Sequence, residues 1–252
     1  MKWHIGCSGF HYKEWKGVFY PGKLAQRLWF DYYSSRFHTL ELNVTFYRFP
    51  QISFLENWYN KSPDHFVFAV KAPRLITHYK QFSECDDLLA DFYATTRKGL
   101  KDKLGPILFQ VTPQLKYSDE KLKRILDSLD TSFVNVIEFP QAEWWRKEVK
   151  EELSKKGVIF CGINYPGLPN EPVINNETAY YRFHGVPQLY HSPHTQTDIR
   201  EITEFYRRNE NLKQVFVYFN NTASLAAIDN ARFLESLVFD STHVNQKGIG
   251  VL

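Results

Sequence analysis

Eight short apolar runs recur along the chain, at residues 4–8, 39–46, 66–71, 107–111, 134–139, 158–163, 179–184 and 215–220. Most are separated by stretches with helical periodicity. Strand–helix alternation repeated eight times within 252 residues leaves few architectures open. It predicts an α/β protein with a closed (β/α)₈ TIM-type barrel, residues 1–252 forming one domain. An open doubly wound sheet is the competing solution, but its Gly-rich first turn is missing: GCSG at 6–9 is not GxGxxG.

The intervening helices carry local signals. Ser53 with Glu56 reads as a capping box opening a helix through Trp58 and Tyr59. Ser118 is placed to cap a helix with Asp119 and Glu120 in its first turn and Leu122, Ile125, Leu126 and Leu129 as its stripe. Trp145, Val149 and Leu153 form another stripe, ended by Lys155, Lys156 and Gly157. Thr197 is read as a cap for a helix over 199–206, and residues 223–237 as the last helix. Residues 164–178 hold three prolines and no helical period, so a loop is predicted where a sixth helix would stand.

The runs end in polar residues. Strand side chains alternate faces, so in 39–48 Glu41, Asn43 and Thr45 oppose Leu40, Leu42, Val44 and Phe46. Lys71 shares a face with Ala69, Gln110 with Leu108, and Glu138 with Val136. By the same count Asn164 follows Phe160 and Gly162, Arg182 and His184 follow Tyr180, and Asn220 follows Phe216 and Tyr218. These are C-terminal strand ends, the rim where barrel enzymes carry their chemistry. A single charge buried inside a barrel costs several kcal/mol, so Glu41, Glu138, Lys71 and Arg182 are expected to neutralise one another. The bland alternative is an ion network that only plugs the barrel. Tyr47, Arg74 and His78 extend the polar set into adjoining loops, which favours a site.

Composition narrows the classes. A net charge of +3 permits anionic ligands without requiring nucleic acid. Lys61, Lys71, Arg74 and Lys80 among aromatics could follow a phosphate backbone, yet scattered surface charge explains Lys61 and Lys80 as well. The aromatic fraction is 17%, which suits ring-packed core or a pocket that stacks sugar or base faces. Cys7, Cys85 and Cys161 are odd in number and form no CxxC, which suggests a reduced, cytoplasmic setting, with Cys7 read as a buried inert thiol. No secretory signal pattern opens the chain, and no apolar run nears the roughly 20 residues of a membrane span. His191 and His194 have ligand-like spacing but lack a third ligand, so no metal is assigned. No cofactor is expected.

Several segments together resemble the YecE-like family, catalogued as a domain of unknown function numbered 72. They are IGCSGF at 5–10, WKGVFYP at 15–21, ELNVTFYR at 41–48, FAVKAPR at 68–74 with Thr77 and His78, GPILFQ at 105–110, YRFHG at 181–185, and VYFNN at 217–221 with Asn230 and Ala231. The resemblance implies a TIM-type barrel and a loose link to sugar isomerases, with no established reaction. The chain departs from the family pattern at three places: Cys7 stands where Thr is usual, Asn164 where an acid is usual, and Phe139-Pro140 where Arg-His-Pro is usual.

The resulting expectation is a cofactor-independent enzyme on a small anionic or sugar-like molecule, moving protons beside a carbonyl. Arg182 and Arg74 would hold a phosphate or carboxylate. Glu41 or Glu138 would act as base, Lys71 would stabilise the oxyanion and His184 would move a second proton. A Schiff base on Lys71 is a further option. Asn43, Gln110 and Asn220 would orient hydroxyls, with Tyr47, His78 and Asn164 completing the site. The alternatives are a non-catalytic nucleotide or nucleic-acid binder and a barrel that has lost activity.

Overall fold

The computed structural model describes residues 1–240; the last twelve positions of the expected 1–252 domain lie outside the described residues. All strand pairing is parallel. The strands are β1 (Lys2–Cys7), β2 (Thr39–Leu42), β3 (Val67–Lys71), β4 (Leu104–Gln110), β5 (Asn135–Glu138), β6 (Ile159–Phe160), β7 (Gly162–Asn164), β8 (Thr178–Phe183) and β9 (Gln214–Phe219). They hydrogen-bond as two sheets, β1-β9-β8-β7 and β2-β3-β4-β5-β6. The helices are α1 (Trp29–Ser34), α2 (Val44–Tyr47), α3 (Ile52–Lys61), α4 (Asp86–Leu100), α5 (Asp119–Ser128), α6 (Lys147–Lys155), α7 (Gln196–Arg207) and α8 (Ala226–Glu235).

The single ring of eight strands expected from the alternation is therefore seen as two parallel sheets. Two junctions interrupt the ladder. Between β6 and β7, Cys161 N donates to Ile137 O, so one continuous segment serves β5 first and β8 afterwards. Between β1 and β2 the hydroxyl of Tyr33 takes the place of a direct bond. It accepts from Cys7 N at 2.8 Å and donates to Thr39 O at 3.1 Å. The strands approach so closely there that a Cβ on Gly6 would lie 2.5 Å from Thr39 O. One isolated bridge, Ser8 with Glu41, completes the contact.

Two apolar layers result. Ala69, Leu108, Val136, Ile159, Cys161, Ile163, Tyr180, Phe216 and Tyr218 form a compact inner cluster between the sheets. The opposite strand faces pack on the helices in a larger ring-rich core that holds Trp15, Tyr33, Phe68, Phe109 and Trp144. Cys7 belongs to that outer core, fully buried, and burial pushes its thiol pKa up.

Helix ends follow the local chemistry with three exceptions. Ser118 Oγ accepts from Lys121 N as expected, and Gly157 ends the turn after α6 at φ +69°. Ser53 lies inside α3, whose N-cap is Gln51. Thr195, not Thr197, caps α7 in a reciprocal capping box with Asp198. Trp145 precedes α6 instead of lying on it. Residues 165–177 form no helix, as the prolines dictate. The strand expected over 39–46 stops at Leu42, because Thr45 Oγ1 donates to the Lys71 carbonyl at 2.6 Å and draws the following residues into α2.

Candidate functional site

The polar strand ends do meet. Glu41, on β2, accepts from Ser8 Oγ at 2.6 Å, Tyr180 OH at 2.6 Å and Arg182 NH2 at 2.8 Å. Arg182, from β8, also donates through NH1 to Glu138 Oε2 at the end of β5. Glu138 Oε1 accepts from Gln110 Nε2, and Gln110 Oε1 accepts from Lys71 Nζ at 2.7 Å. The chain of contacts thus runs Ser8–Glu41–Arg182–Glu138–Gln110–Lys71. Glu41, Glu138, Arg182 and His184 are all 0% exposed.

His184 joins at one side. Asn220 Nδ2 lies 2.9 Å from His184 Nδ1, and His184 Nε2 lies 3.2 Å from Glu138 Oε1. His184 Nε2 also lies 3.3 Å from Arg182 NH1, so the ring sits between the guanidinium and the carboxylate. Burial lowers the His184 pKa, Arg182 and Lys71 lower it further, and Glu138 opposes them, so the ring is neutral near pH 7. Burial alone would raise the Glu138 pKa, but Arg182 and His184 together hold it well below the carboxylate range. Two carboxylates, one guanidinium and one ammonium leave the network close to neutral.

Above it opens a cavity of about 310 Å³ lined by Phe46, Tyr47, Lys71, Arg74, His78, Tyr79, Gln110, Pro113, Pro140, Tyr165 and Tyr190. Lys71 is its floor, 8% exposed, with Nζ 4.1 Å from the centroid of the Phe46 ring. Burial and the charge of Arg182 bring the Lys71 pKa down to about 8, against the pull of Glu138 and Glu41. Its hydrogen-bond partner is the neutral amide of Gln110, with Glu138 one residue beyond and Glu41 farther still, behind Arg182. Arg74 stands at the mouth between two exposed rings, 5.6 Å from Tyr47 and 5.5 Å from Tyr79. Burial lowers the His78 pKa and the charges of Lys71 and Arg74 lower it further, which places all three in one field. A larger concavity of about 630 Å³ lies along α7, bordered by Arg200, Glu201, Glu204 and Arg208. Exposed charges of both signs line it, without a buried titratable group.

Several expectations are corrected here. Arg182 does not face the cavity: both its terminal nitrogens are committed to carboxylates, so Arg74 is the guanidinium a ligand would meet. Glu41 and Glu138 are likewise beneath the floor, and neither lines the cavity. Asn164 has the opposite parity from Ile159, Cys161 and Ile163, which belong to the inner cluster, so it leaves the inward set. Asn43 is the N-cap of α2 and not a strand residue. Neither asparagine lines the cavity, nor do His184 and Asn220; the His184 ring lies behind the walls Tyr165 and Tyr190, its centroid 5.7 and 6.2 Å from theirs. Lys71, Gln110, Tyr47, Arg74 and His78 do line it.

Sequence reasoning missed Phe46, Tyr79, Tyr165 and Tyr190 as walls and Tyr180 as a donor to Glu41; the surplus of aromatics was the available signal. Tyr190 rides on the loop after β8, where its N donates to His184 O at 2.6 Å. That loop is braced by His194, whose Nε2 accepts from Gly185 N, and by Asn230, bonded to both backbone groups of His194. Of the pair, it is the His194 side chain that serves the loop.

A family described as "Protein of unknown function DUF72" matches residues 4–248. The UPF0759 protein YecE of Escherichia coli (strain K12) is 28% identical over 142 residues, covering 56% of this chain and 52% of that protein. The chain thus aligns with about half the length of that relative. The UPF0759 protein YunF of Bacillus subtilis is 25% identical over 93% of this chain and 94% of its own length. A DUF72 family protein from Thermotoga maritima superposes with a TM-score of 0.84 at 26% identity, covering 94% of this chain and 99% of that one. One from Enterococcus faecalis has a TM-score of 0.81 at 16% identity, covering 94% and 95%, a likeness of fold.

Proposed function

The chain belongs to the DUF72 family, and from that premise we propose that its cavity binds a small phosphorylated or otherwise anionic sugar-like molecule and moves a proton beside its carbonyl. The observation that carries this reading is Lys71, a buried amine with a pKa near 8 on the floor of an open cavity. General acid–base groups work best when their pKa lies near ambient pH. The cavity lining contains Lys71, Arg74 and His78 and no carboxylate, which suits an anion. Its volume is at the small end of ligand sites, which run from roughly 300 Å³ upward. Pro140, from the segment that departs from the family pattern, supplies an apolar wall.

In this reading Arg74 binds the anionic group bidentately, the tyrosines cover the sugar face, and Gln110 orients Lys71. Glu41, Arg182 and Glu138 position the floor and hold its charge constant. The same reading closes the two sheets into one (β/α)₈ barrel, supported by the shared segment 159–164 and the Ser8–Glu41 bridge. It places the protein in the cytoplasm, consistent with three free cysteines; among the described residues no helix is long and apolar enough to cross a membrane.

The test is incorporation of solvent deuterium next to the carbonyl across paired phosphorylated and free aldoses and ketoses. Exchange is expected with phosphorylated members. Arg74→Ala should raise their KM by about 10–100-fold, as loss of a charged hydrogen bond does, with kcat changed only a few-fold. Absence of exchange throughout the panel would remove the proton-transfer reading. Binding of single-stranded nucleic acid that falls steeply with salt would replace it with the binding alternative, which the Tyr47–Arg74–Tyr79 stack at the mouth otherwise leaves as the second reading.

A further inference from the structure

The floor of the cavity differs from an ordinary acid–base site in one respect. No carboxylate reaches it, so a base of that kind would have to act from beneath a sealed layer. Both Glu41 oxygens accept hydrogen bonds from buried partners, and the Glu138 oxygens accept from buried Arg182 and from half-buried Gln110. Lys71 Nζ is the nitrogen left with reach into the space above. Its one hydrogen bond, to Gln110 Oε1, fixes its position without supplying a compensating negative charge. Phe46 covers one side, and the aromatic walls limit water around it. Three residues beyond Lys71, Arg74 turns out to the mouth, and His78 follows on the next turn of the same segment.

Resting on the reading above, we infer that Lys71 condenses with the carbonyl carbon of a small phosphorylated aldehyde or ketone, while Arg74 and His78 hold the phosphate at the mouth. The lone pair of Nζ attacks the carbonyl carbon and a C–N bond forms as the carbonyl π pair moves to oxygen. A proton passes from nitrogen to that oxygen, directly or through water. The carbinolamine then loses its hydroxyl, with one further proton, as water, leaving a C=N bond. Amine plus carbonyl give imine plus water, and no oxidant or reductant enters. The protonated imine withdraws electrons from the adjacent C–H bond, whose electron pair moves toward the C=N carbon as its proton passes to water in the cavity, so the proton transfer proposed above takes place next to it.

The electrostatics agree with this geometry. A lysine near pKa 8 is roughly one-tenth uncharged at pH 7, about two orders of magnitude more than an ordinary lysine. Burial and the neighbouring positive charge of Arg182, beneath the floor, raise that uncharged share.

The experiment treats the full chain with dihydroxyacetone phosphate, and separately with dihydroxyacetone, in the presence of cyanoborohydride. This reductant adds hydride to the imine carbon, and a proton to nitrogen completes a stable secondary amine. Peptide mapping by mass spectrometry then locates the adduct. With the phosphorylated ketone, the Lys71 peptide is expected to label about ten-fold or more faster than the exposed Lys123, and inorganic phosphate should slow it. Labelling of Lys71 no faster than Lys123, or none, would overturn the imine. The two readings separate cleanly: deuterium exchange without a Lys71 adduct retains the proton-transfer function and discards the imine, whereas an adduct without exchange retains the imine and discards that function. Wild-type protein suffices for both arms, so the outcome does not depend on whether a Lys71 variant folds.

Discussion

Replacing Arg182 with methionine is expected to lower the unfolding free energy by about 3–5 kcal/mol, the usual consequence of removing one partner from a buried ion pair. Arg182 is fully buried and separates two fully buried carboxylates, bonded to Glu41 at 2.8 Å and to Glu138 at 2.5 Å. Its removal strands both acids, and Lys71 compensates only one of them. Urea denaturation at pH 7 measures the loss. The double variant Arg182→Met with Glu138→Gln should recover part of it, because one stranded charge has gone, and the cycle reports their coupling. The pH dependence has a definite sign. Glu138 has its folded pKa depressed, so the stability it contributes is present above the unfolded carboxylate value near 4.3 and is lost as pH falls. The gap between wild type and Arg182→Met should therefore narrow below about pH 4. A gap of less than about 1 kcal/mol at pH 7 would mean that the acids are solvated in solution and the network does not exist as described.

Lys71→Met is expected to lower kcat by about 10²–10⁴-fold, the range for removing a positioned acid–base group, with KM for a phosphorylated substrate changed far less. Methionine fills similar volume but offers neither proton nor nucleophile, and the phosphate contacts at Arg74 and His78 stay in place. Steady-state kinetics on the best member of the substrate panel measures the split. A fall of less than about ten-fold would place the chemistry elsewhere in the cavity. Thermal denaturation of the variant establishes that the loss is chemical and not a failure to fold.

Much of this arrangement was legible in the chain. Lys71, Gln110, Glu138, Arg182, His184 and Asn220 stand at the ends of apolar runs, and period-two alternation placed each of them inward. The demand that buried charges be balanced linked Glu41 and Glu138 to Arg182 before any coordinates. Depth was not legible. Arg182 and Arg74 are equally plausible anion holders as letters, yet one is sealed under the floor and the other stands at the mouth. Parity also failed for residues 158–163, where both faces are buried and the run reads as continuously apolar, so nothing marked Ile159, Cys161 and Ile163 as the inward set. Val44–Tyr47 illustrates the remaining difficulty: β-branched and aromatic residues favour a strand, but the Thr45 bond to the Lys71 carbonyl decides for a helix. That turn carries Phe46 over the amine, so a local misreading concealed a wall of the cavity.

Everything functional here depends on one amine whose pKa is brought down by burial and by an arginine from a distant strand. Heteronuclear NMR titration of the lysine side chains, with Lys71→Met assigning the resonance, reads that amine directly. The structure leads us to expect an apparent pKa near 8 for Lys71. A value near 10.4, that of a lysine in water, would contradict the account.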